Sequence, residues 1–262
     1  MSSIPLSRVA VVGRGRLGSA LARAVGSPLA ADDPAAVAVL LAVPDDAIEA
    51  VAARRAWRPG MLAVHHSGAH GLEVLDAAAA AGAEVACLHP LQTFPDRANG
   101  SVEGVACAVT AAASADRARQ LARDLGMAPF DLAAEAKPLY HAAAVAASNY
   151  LTAVEYLAER LFAAAGVPGA PFWALAEASL RAARDLGPAA SLTGPVVRGD
   201  AGTLARNRRA VREAAPDLEE AYVALARLAL RAAVERSDAV DRTAVALVLD
   251  AEAVIPTAGR AA

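Results

Sequence analysis

Short apolar runs and helical stretches alternate along the first half of the chain. "RVAVVG", "VAVLLAVP", "MLAVHHS", "EVACLHP" and "VACAVT" carry no polar face, the mark of strands buried on both sides of a sheet. Between them, "LGSALARAV", "DDAIEAVAARR", "GLEVLDAAAAAG" and "SADRARQLARDLG" read as amphipathic helices. Such alternation predicts an α/β fold with a doubly wound, mostly parallel sheet. From Lys137 onward the strand signal fades. "PLYHAAAVAASNYLTAVEYLAERLFAAAG" predicts one long helix, with Pro138 in its first turn and Gly166 at its end. "PFWALAEASLRAARDLG" predicts another, and "TLARNRRAVREAAPDLEEAYVALARLALRAAVER" one long helix or two broken at Pro216. "VALVLDAEAV" near the end reads as either a strand or a terminal helical turn. The expected organisation is an α/β domain over 1–130 and an all-helical domain over 131–262.

The junction "GRGRLG" lies between the first strand and the first helix, the context that gives its glycines meaning. Gly13 permits a tight turn, Gly15 lets backbone approach a pyrophosphate, and Gly18 lets helix and strand pack closely. Amides at the helix N-terminus then face the anion. With Arg16 and Leu17, and with Val43 and Pro44 at the end of "VAVLLAVP", these are the candidate cofactor contacts. A dinucleotide fold next supplies a second strand ending in an acidic residue about 20 positions on. Here "GSPLAADDP" fills that place, with two prolines and no β-branched run. Either Asp32 or Asp33 imitates the acidic residue, or the strand–helix unit is shortened or missing and both aspartates sit in a turn. Arg14 and Arg16 offer a 2′-phosphate an alternative partner, so NADP and NAD are not distinguished.

The strand ends gather polar groups, where open α/β sheets bind ligands. Asp45 and Asp46 follow one; His65, His66, Ser67, Gly68 and His70 another; His89, Gln92 and Thr93 a third. Histidines there serve as hydrogen-bond donors and proton carriers; with no HExxH motif and no paired-cysteine spacing, no metal site is assigned. Neighbouring strand residues face opposite sides, so at least one of His65 and His66 is expected to be buried and bonded to backbone. Beyond the sheet, "KPLYHAAAVAASNY" puts Lys137, His141 and Ser148 on one helical stripe, with Asn149 at its margin. The plain alternative is a solvated lysine and a histidine in a capping region. In "SLTGPVVRGDAGT", Asp200 suits a helix cap and Gly199 a left-handed turn. That frees Arg198 for a carboxylate or phosphate, unless it pairs with Asp200.

Composition narrows the partners. Hydrophobic residues make up 56% of the 262, much of it alanine, which lets helix faces pack closely. The net charge is −3, and the basic run at 206–212 is answered by Glu213, Asp217, Glu219 and Glu220. Neither a nucleic acid nor a membrane surface is therefore expected as partner. The longest apolar stretches reach about half of the ~20 residues a bilayer requires, and no signal core follows the N-terminus; a cytoplasmic protein is expected. Cys87 and Cys107 fall in buried strands and read as free core thiols.

In order, "GRGRLG", "LLAVPDDAI", "HHSGAHGLEVL", "LHPLQTFPD", "KPLYHAAAVAASNYL" and "LTGPVVRGDAGT" resemble the Rossmann-like proteins with a helical C-terminal domain of unknown function. These are relatives of 6-phosphogluconate dehydrogenase, ketopantoate reductase and pyrroline-5-carboxylate reductase. The resemblance implies an NAD(P)-dependent oxidoreductase, usually a homodimer, acting on a small molecule in a cleft between domains. Hydride would pass to or from a carbonyl or imine. Lys137 or His141 would donate the proton; His89, Ser67, Gln92, Ser148 and Asn149 would position the substrate; and Arg198 would hold a carboxylate. Two departures stand out. Hydroxyacid dehydrogenase relatives carry an asparagine four residues after the lysine, where this chain has His141, and about one strand–helix unit is missing after the glycine loop. The alternative function is a cofactor-free acid–base enzyme (isomerase, cyclase or lyase) or a non-catalytic ligand-binding protein.

Overall fold

A computed structural model describes residues 4–169, 171–236 and 240–250. It divides into two compact units, Met1–Asn149 and Tyr150–Ala262. The first holds β1 (Val9–Val12), α1 (Arg16–Val25), β2 (Ala38–Leu41), α2 (Ile48–Ala53), β3 (Leu62–His65), α3 (Asp76–Ala80), β4 (Glu84–Pro90), β5 (Ala106–Ala111), α4 (Ala115–Asp124), β6 (Ala128–Asp131) and α5 (Lys137–Val145). The strands form one sheet in the order β1-β2-β3-β4-β5-β6. All neighbours are parallel except β4 and β5.

Alternating strand residues build a core on each face. Val9, Leu40, Val64 and Val109 meet Leu21 of α1 and Leu121 of α4 on one side. Val39, Leu41 and Ala63 meet Ile48, Ala52 and Ala78 of α2 and α3 on the other. Helix α1 turns Gly18, Leu21 and Val25 inward and stops at Gly26, whose φ of 82° is one that glycine adopts without strain.

The segment after α1 settles the fate of the second strand. Leu29 forms a single parallel bridge to Ala10, its amide donating to the Val9 carbonyl at 2.9 Å. Since β2 pairs along β1 in full register, this bridge lies on the opposite edge of β1. The chain thus leaves β1 one way, touches it once, and returns to lay β2 on the other side. A doubly wound sheet survives with its first half reduced to one residue. The connection is held tightly: Arg58 Nη2 donates to the carbonyls of Pro34 (2.6 Å) and Ala36 (2.9 Å), and Arg8 Nε to that of Ala35 (3.0 Å). Asp33 accepts the Ala35 amide at 2.8 Å, so it is a turn residue and not an imitation of a ribose-binding acid.

Two elements depart from the sequence reading. The sixth strand, "APFD", was not expected; it is a sheet edge where Pro129 is tolerated, and its mostly exposed residues give no apolar run. The long helix beginning at Lys137 contains a π-turn at Ala146–Tyr150. Its wider turn puts later positions out of phase, so Ser148 and Asn149 leave the regular stripe through Lys137 and His141. The first unit also extends past the boundary of 130, because β6 pairs with β5 and Lys137 bonds to residues of the sheet.

The second unit comprises α6 (Leu151–Ala164), α7 (Trp173–Leu186), α8 (Pro188–Ser191), α9 (Pro195–Arg198), α10 (Ala201–Ala214), α11 (Glu219–Arg236) and α12 (Thr243–Asp250). Helices α10 and α11 are indeed separate, broken at Pro216. "VALVLD" is helical within α12, and the rest of that motif lies outside the described residues. Val196, Leu204, Val223, Val245 and Leu249 form the core. Beside it, Arg208 and Arg212 share the Glu219 carboxylate at 2.6–2.8 Å and hold that carboxyl down to about 2. Gly199 is left-handed (φ 73°), and Asp200 caps α10 by accepting the Thr203 amide at 2.9 Å.

Candidate functional site

The glycine turn at the end of β1 carries three distinct constraints. Gly13 has φ of 112°, and a Cβ there would run into the Ala42 carbonyl. Gly18 faces the Gly13 carbonyl just as closely. A Cβ on Gly15, whose φ is −69°, would meet nothing within 4 Å. Gly13 therefore makes the turn, Gly18 the helix–strand contact, and Gly15 an open approach to backbone. Replacing Gly13 by alanine is expected to lower stability by about 3 kcal/mol or more, positive-φ strain adding to a backbone collision. Thermal denaturation measures this; an unchanged Tm would contradict the turn geometry.

Gly13, Gly15, Arg16 and Leu17 line one side of a cavity of about 300 Å³, Val43, Pro44 and Asp45 the other, and His66 joins them. No residue of "SPLAADDP" lines it, so the shortened connection leaves it open. His66 is 6% exposed, and its Nδ1 lies 2.6 Å from the Leu88 carbonyl. A carbonyl only accepts, so the proton sits on Nδ1. Nε2 is then a buried acceptor with no partner among the described residues. Burial, and secondarily His89, pull the His66 pKa down to about 4 against the Leu88 bond, which keeps this tautomer neutral.

From the cavity wall a hydrogen-bonded chain leads inward. Ser67 Oγ donates to Asp45 Oδ2 at 2.7 Å and accepts the amides of Ala69 and His70 at 3.1 Å. Its hydroxyl is fully engaged in shaping the loop. The Ser67 carbonyl accepts from Lys137 Nζ at 3.0 Å, and Nζ also reaches Cys87 Sγ at 3.2 Å. Lys137 is 1% exposed at the start of α5, so the solvated reading fails. These two bonds fix the position of Nζ beside the Ser67 loop and β4. Burial raises the Cys87 thiol pKa, opposed by Lys137. Cys87 and Cys107 are both free and buried.

Around this lysine stand three further rings. His89 Nδ1 lies 2.9 Å from the Tyr140 hydroxyl, and the His89 and His141 rings meet edge to face at 6.1 Å. Gly68 fits between His89 Nε2 and His141 Nδ1 so tightly that a Cβ would strike both. Burial first, then the charges of Lys137 and His141, bring the His89 pKa to about 4. Burial pushes the Tyr140 hydroxyl up to about 12.

Of the residues selected from sequence, Lys137, His141, His89 and Ser67 come together here. Gln92 does not: it is exposed, and its Oε1 accepts the Thr93 amide at 2.9 Å. Asn149 is exposed in the π-turn, Ser148 is half-buried there, and Arg198 ends α9 in the second unit. Tyr140, His66, Asp45 and Cys87 were not chosen as site residues. Tyr140 was open to detection three positions after Lys137; the Cys87 contact had no sequence signal.

A glycine turn joining a buried strand to a helix, on a mostly parallel sheet followed by a helical unit, defines a Rossmann-like protein. Residues 27–90 match the Rossmann-like domain, and residues 105–229 match the family described as "Domain of unknown function (DUF2520)". The two matches cover successive parts of the chain. No curated protein matches it by sequence. Among solved structures, a Bacteroides fragilis protein described as a candidate NADP oxidoreductase is 19% identical with a TM-score of 0.72, over 85% of this chain and 97% of that one. A reductive aminase from Aspergillus terreus, solved with NADPH and ethyl-5-oxohexanoate, is 17% identical with a TM-score of 0.65, over 86% and 94%. An imine reductase from Myxococcus stipitatus, solved with NADP+, is 17% identical with a TM-score of 0.56, over 90% and 98%. At such identities the likeness is one of fold.

Proposed function

We propose that the protein is an NAD(P)-dependent oxidoreductase that reduces, or forms, a small carbonyl or imine. The observation that carries this is the open cavity between the glycine turn and Val43–Pro44, linked through Asp45 and Ser67 to the buried Lys137. The residues fit the cofactor: Gly15 leaves its backbone bare, the α1 N-terminus favours an anion, and Val43 and Pro44 offer an apolar wall. Solved proteins of this fold that hold NADPH or NADP+ support the reading.

When bound, the nicotinamide supplies or accepts the hydride. The chain's own residues handle the proton. Lys137 Nζ, held by the Ser67 carbonyl and Cys87, donates to the substrate oxygen or nitrogen, or takes the proton back in the reverse direction. His141, beside His89, is the alternative donor. The His89–Tyr140 pair keeps neutral, oriented polar groups beside the substrate. Ser148 and Asn149 are left as secondary contacts.

A cofactor-free acid–base enzyme is favoured by one fact, the reduction of the second strand to Leu29. The open cavity weighs against it. No helix among the described residues is long and apolar enough to cross a membrane, and two buried free thiols suit a cytoplasmic protein. Exposed Leu175, Leu180 and Leu186 on α7 suit a homodimer. Calorimetric titration with NADPH and NADH tests the function: micromolar binding of either is expected, and no heat from both would reject it.

A further inference from the structure

In this fold the adenosine ribose is held at the carboxyl end of the strand beyond β1. Here that position is a single bridging residue, Leu29, flanked by Pro28 and Ala30. The twelve residues of the connection are all described. Of the two acids of the connection, Asp33 is committed to the Ala35 amide, and the exposed Asp32 interacts with the charge of Arg55. The backbone carbonyls of Pro34, Ala35 and Ala36 are taken by Arg58 and Arg8. By contrast, the turn side of the site is fully built. It has the bare Gly15 backbone at the head of a ten-residue helix. Arg14 and Arg16 lie at its rim, and His66 lines the same cavity. Its volume of about 300 Å³ is at the small end of ligand sites, which run from about 300 to 1,000 Å³.

We propose that this site recognises the nicotinamide mononucleotide half of the cofactor alone: one phosphate at the glycine turn, with the nicotinamide riboside in the part of the cavity that His66 lines. The adenylate half adds no contact that discriminates. This rests on the oxidoreductase reading and deepens it by naming the ligand class. Reduced nicotinamide mononucleotide, NADH and NADPH then bind alike, since each presents the phosphate on its nicotinamide ribose to Gly15, Arg14 and Arg16, as a monoester in the first and as part of a pyrophosphate in the others. A 2′-phosphate finds no built partner, so NADPH gains nothing over NADH.

The test is calorimetric titration of the full chain with four probes: reduced nicotinamide mononucleotide, NADH, NADPH and adenosine 2′,5′-bisphosphate. The three nicotinamide ligands are expected to agree in Kd within about threefold, with no binding of the bisphosphate. One charged hydrogen bond to the adenylate half would be worth about tenfold or more. A dinucleotide tenfold tighter than the mononucleotide, or NADPH tenfold tighter than NADH, would therefore overturn the inference and leave the oxidoreductase reading standing. Silence from all three nicotinamide ligands would overturn both. A Gly15→Val variant puts its Cβ into open space and weakens the α1 N-cap by about 1 kcal/mol, so it should fold with a slightly lower Tm. It should weaken all three ligands by one common factor; a loss confined to the dinucleotides would count against the proposal.

Discussion

Lys137→Met lowers turnover of a carbonyl or imine substrate by about 10²- to 10⁴-fold, the range that a positioned proton donor supplies, and leaves NADPH binding unchanged. Methionine keeps the length and volume of a side chain that is 1% exposed, so the packing survives. What disappears is the donor held by the Ser67 carbonyl and Cys87 Sγ. The Ser67 carbonyl keeps the weaker Cys87 Sγ donor at 3.3 Å, so the lost bond costs about 1 kcal/mol, visible as a lower Tm but not as unfolding. A second readout separates chemistry from packing. The charge of Lys137 helps to depress both His65 and His89. Both should titrate higher in the variant, by NMR of the imidazole signals. Turnover within a few-fold of the parent would remove Lys137 from the mechanism and pass the role to His141.

Acidification from pH 6.5 to 4 should destabilise the protein by several kcal/mol. Burial is the largest cause in all three histidines concerned, aided by neighbouring positive charge; it lowers His65 to about 3, and His66 and His89 to about 4. In the unfolded chain each titrates near 6.5. Between the two values the unfolded state binds protons that the native state refuses, so stability rises with pH across this window. The contribution is whole above pH 6.5 and is lost as the pH falls toward 4. Each histidine can supply at most about 1.4 kcal/mol per pH unit, which makes a combined loss on the order of 5 kcal/mol reasonable after allowing for the partial exposure of His89. Urea unfolding at pH 7, 5.5 and 4 measures it, and a flat dependence would mean that the rings are solvated. Glu219, held at about 2 by Arg212 and Arg208 against an ordinary 4.5, adds to the loss only at the acid end of this window, so the change between pH 7 and 5.5 belongs to the histidines.

Much of the site was legible because its residues sit at fixed offsets from strand ends. The three glycines of "GRGRLG" have the roles their spacing suggests: Gly13 turns, Gly15 stays bare, Gly18 packs. The Gly199 turn and the Asp200 cap were legible for the same reason, each being a local matter of φ and a hydrogen bond three residues away. Gln92 was misleading, since a polar residue just past a strand end can equally bond its own neighbour's amide, as it does at Thr93. Ser67 was found but for another purpose; its hydroxyl holds the loop and its carbonyl holds the lysine. The stripe through Ser148 assumed an unbroken helix, and the π-turn changes its phase.

Sequence alone determined the buried strands, the glycine turn, the polar cluster at their ends and the helical second half, because hydrophobic periodicity and glycine conformation are local properties of the chain. Only the tertiary structure decided that the second strand had shrunk to Leu29, that Asp33 was a turn cap, and that "APFD" was an edge strand. It alone set the bonds of Lys137 to residues 70 and 50 positions away, and that of His66 Nδ1 to the Leu88 carbonyl. Those outcomes depend on which distant group occupies a donor, an acceptor or a sheet edge, and no local pattern of residues encodes that.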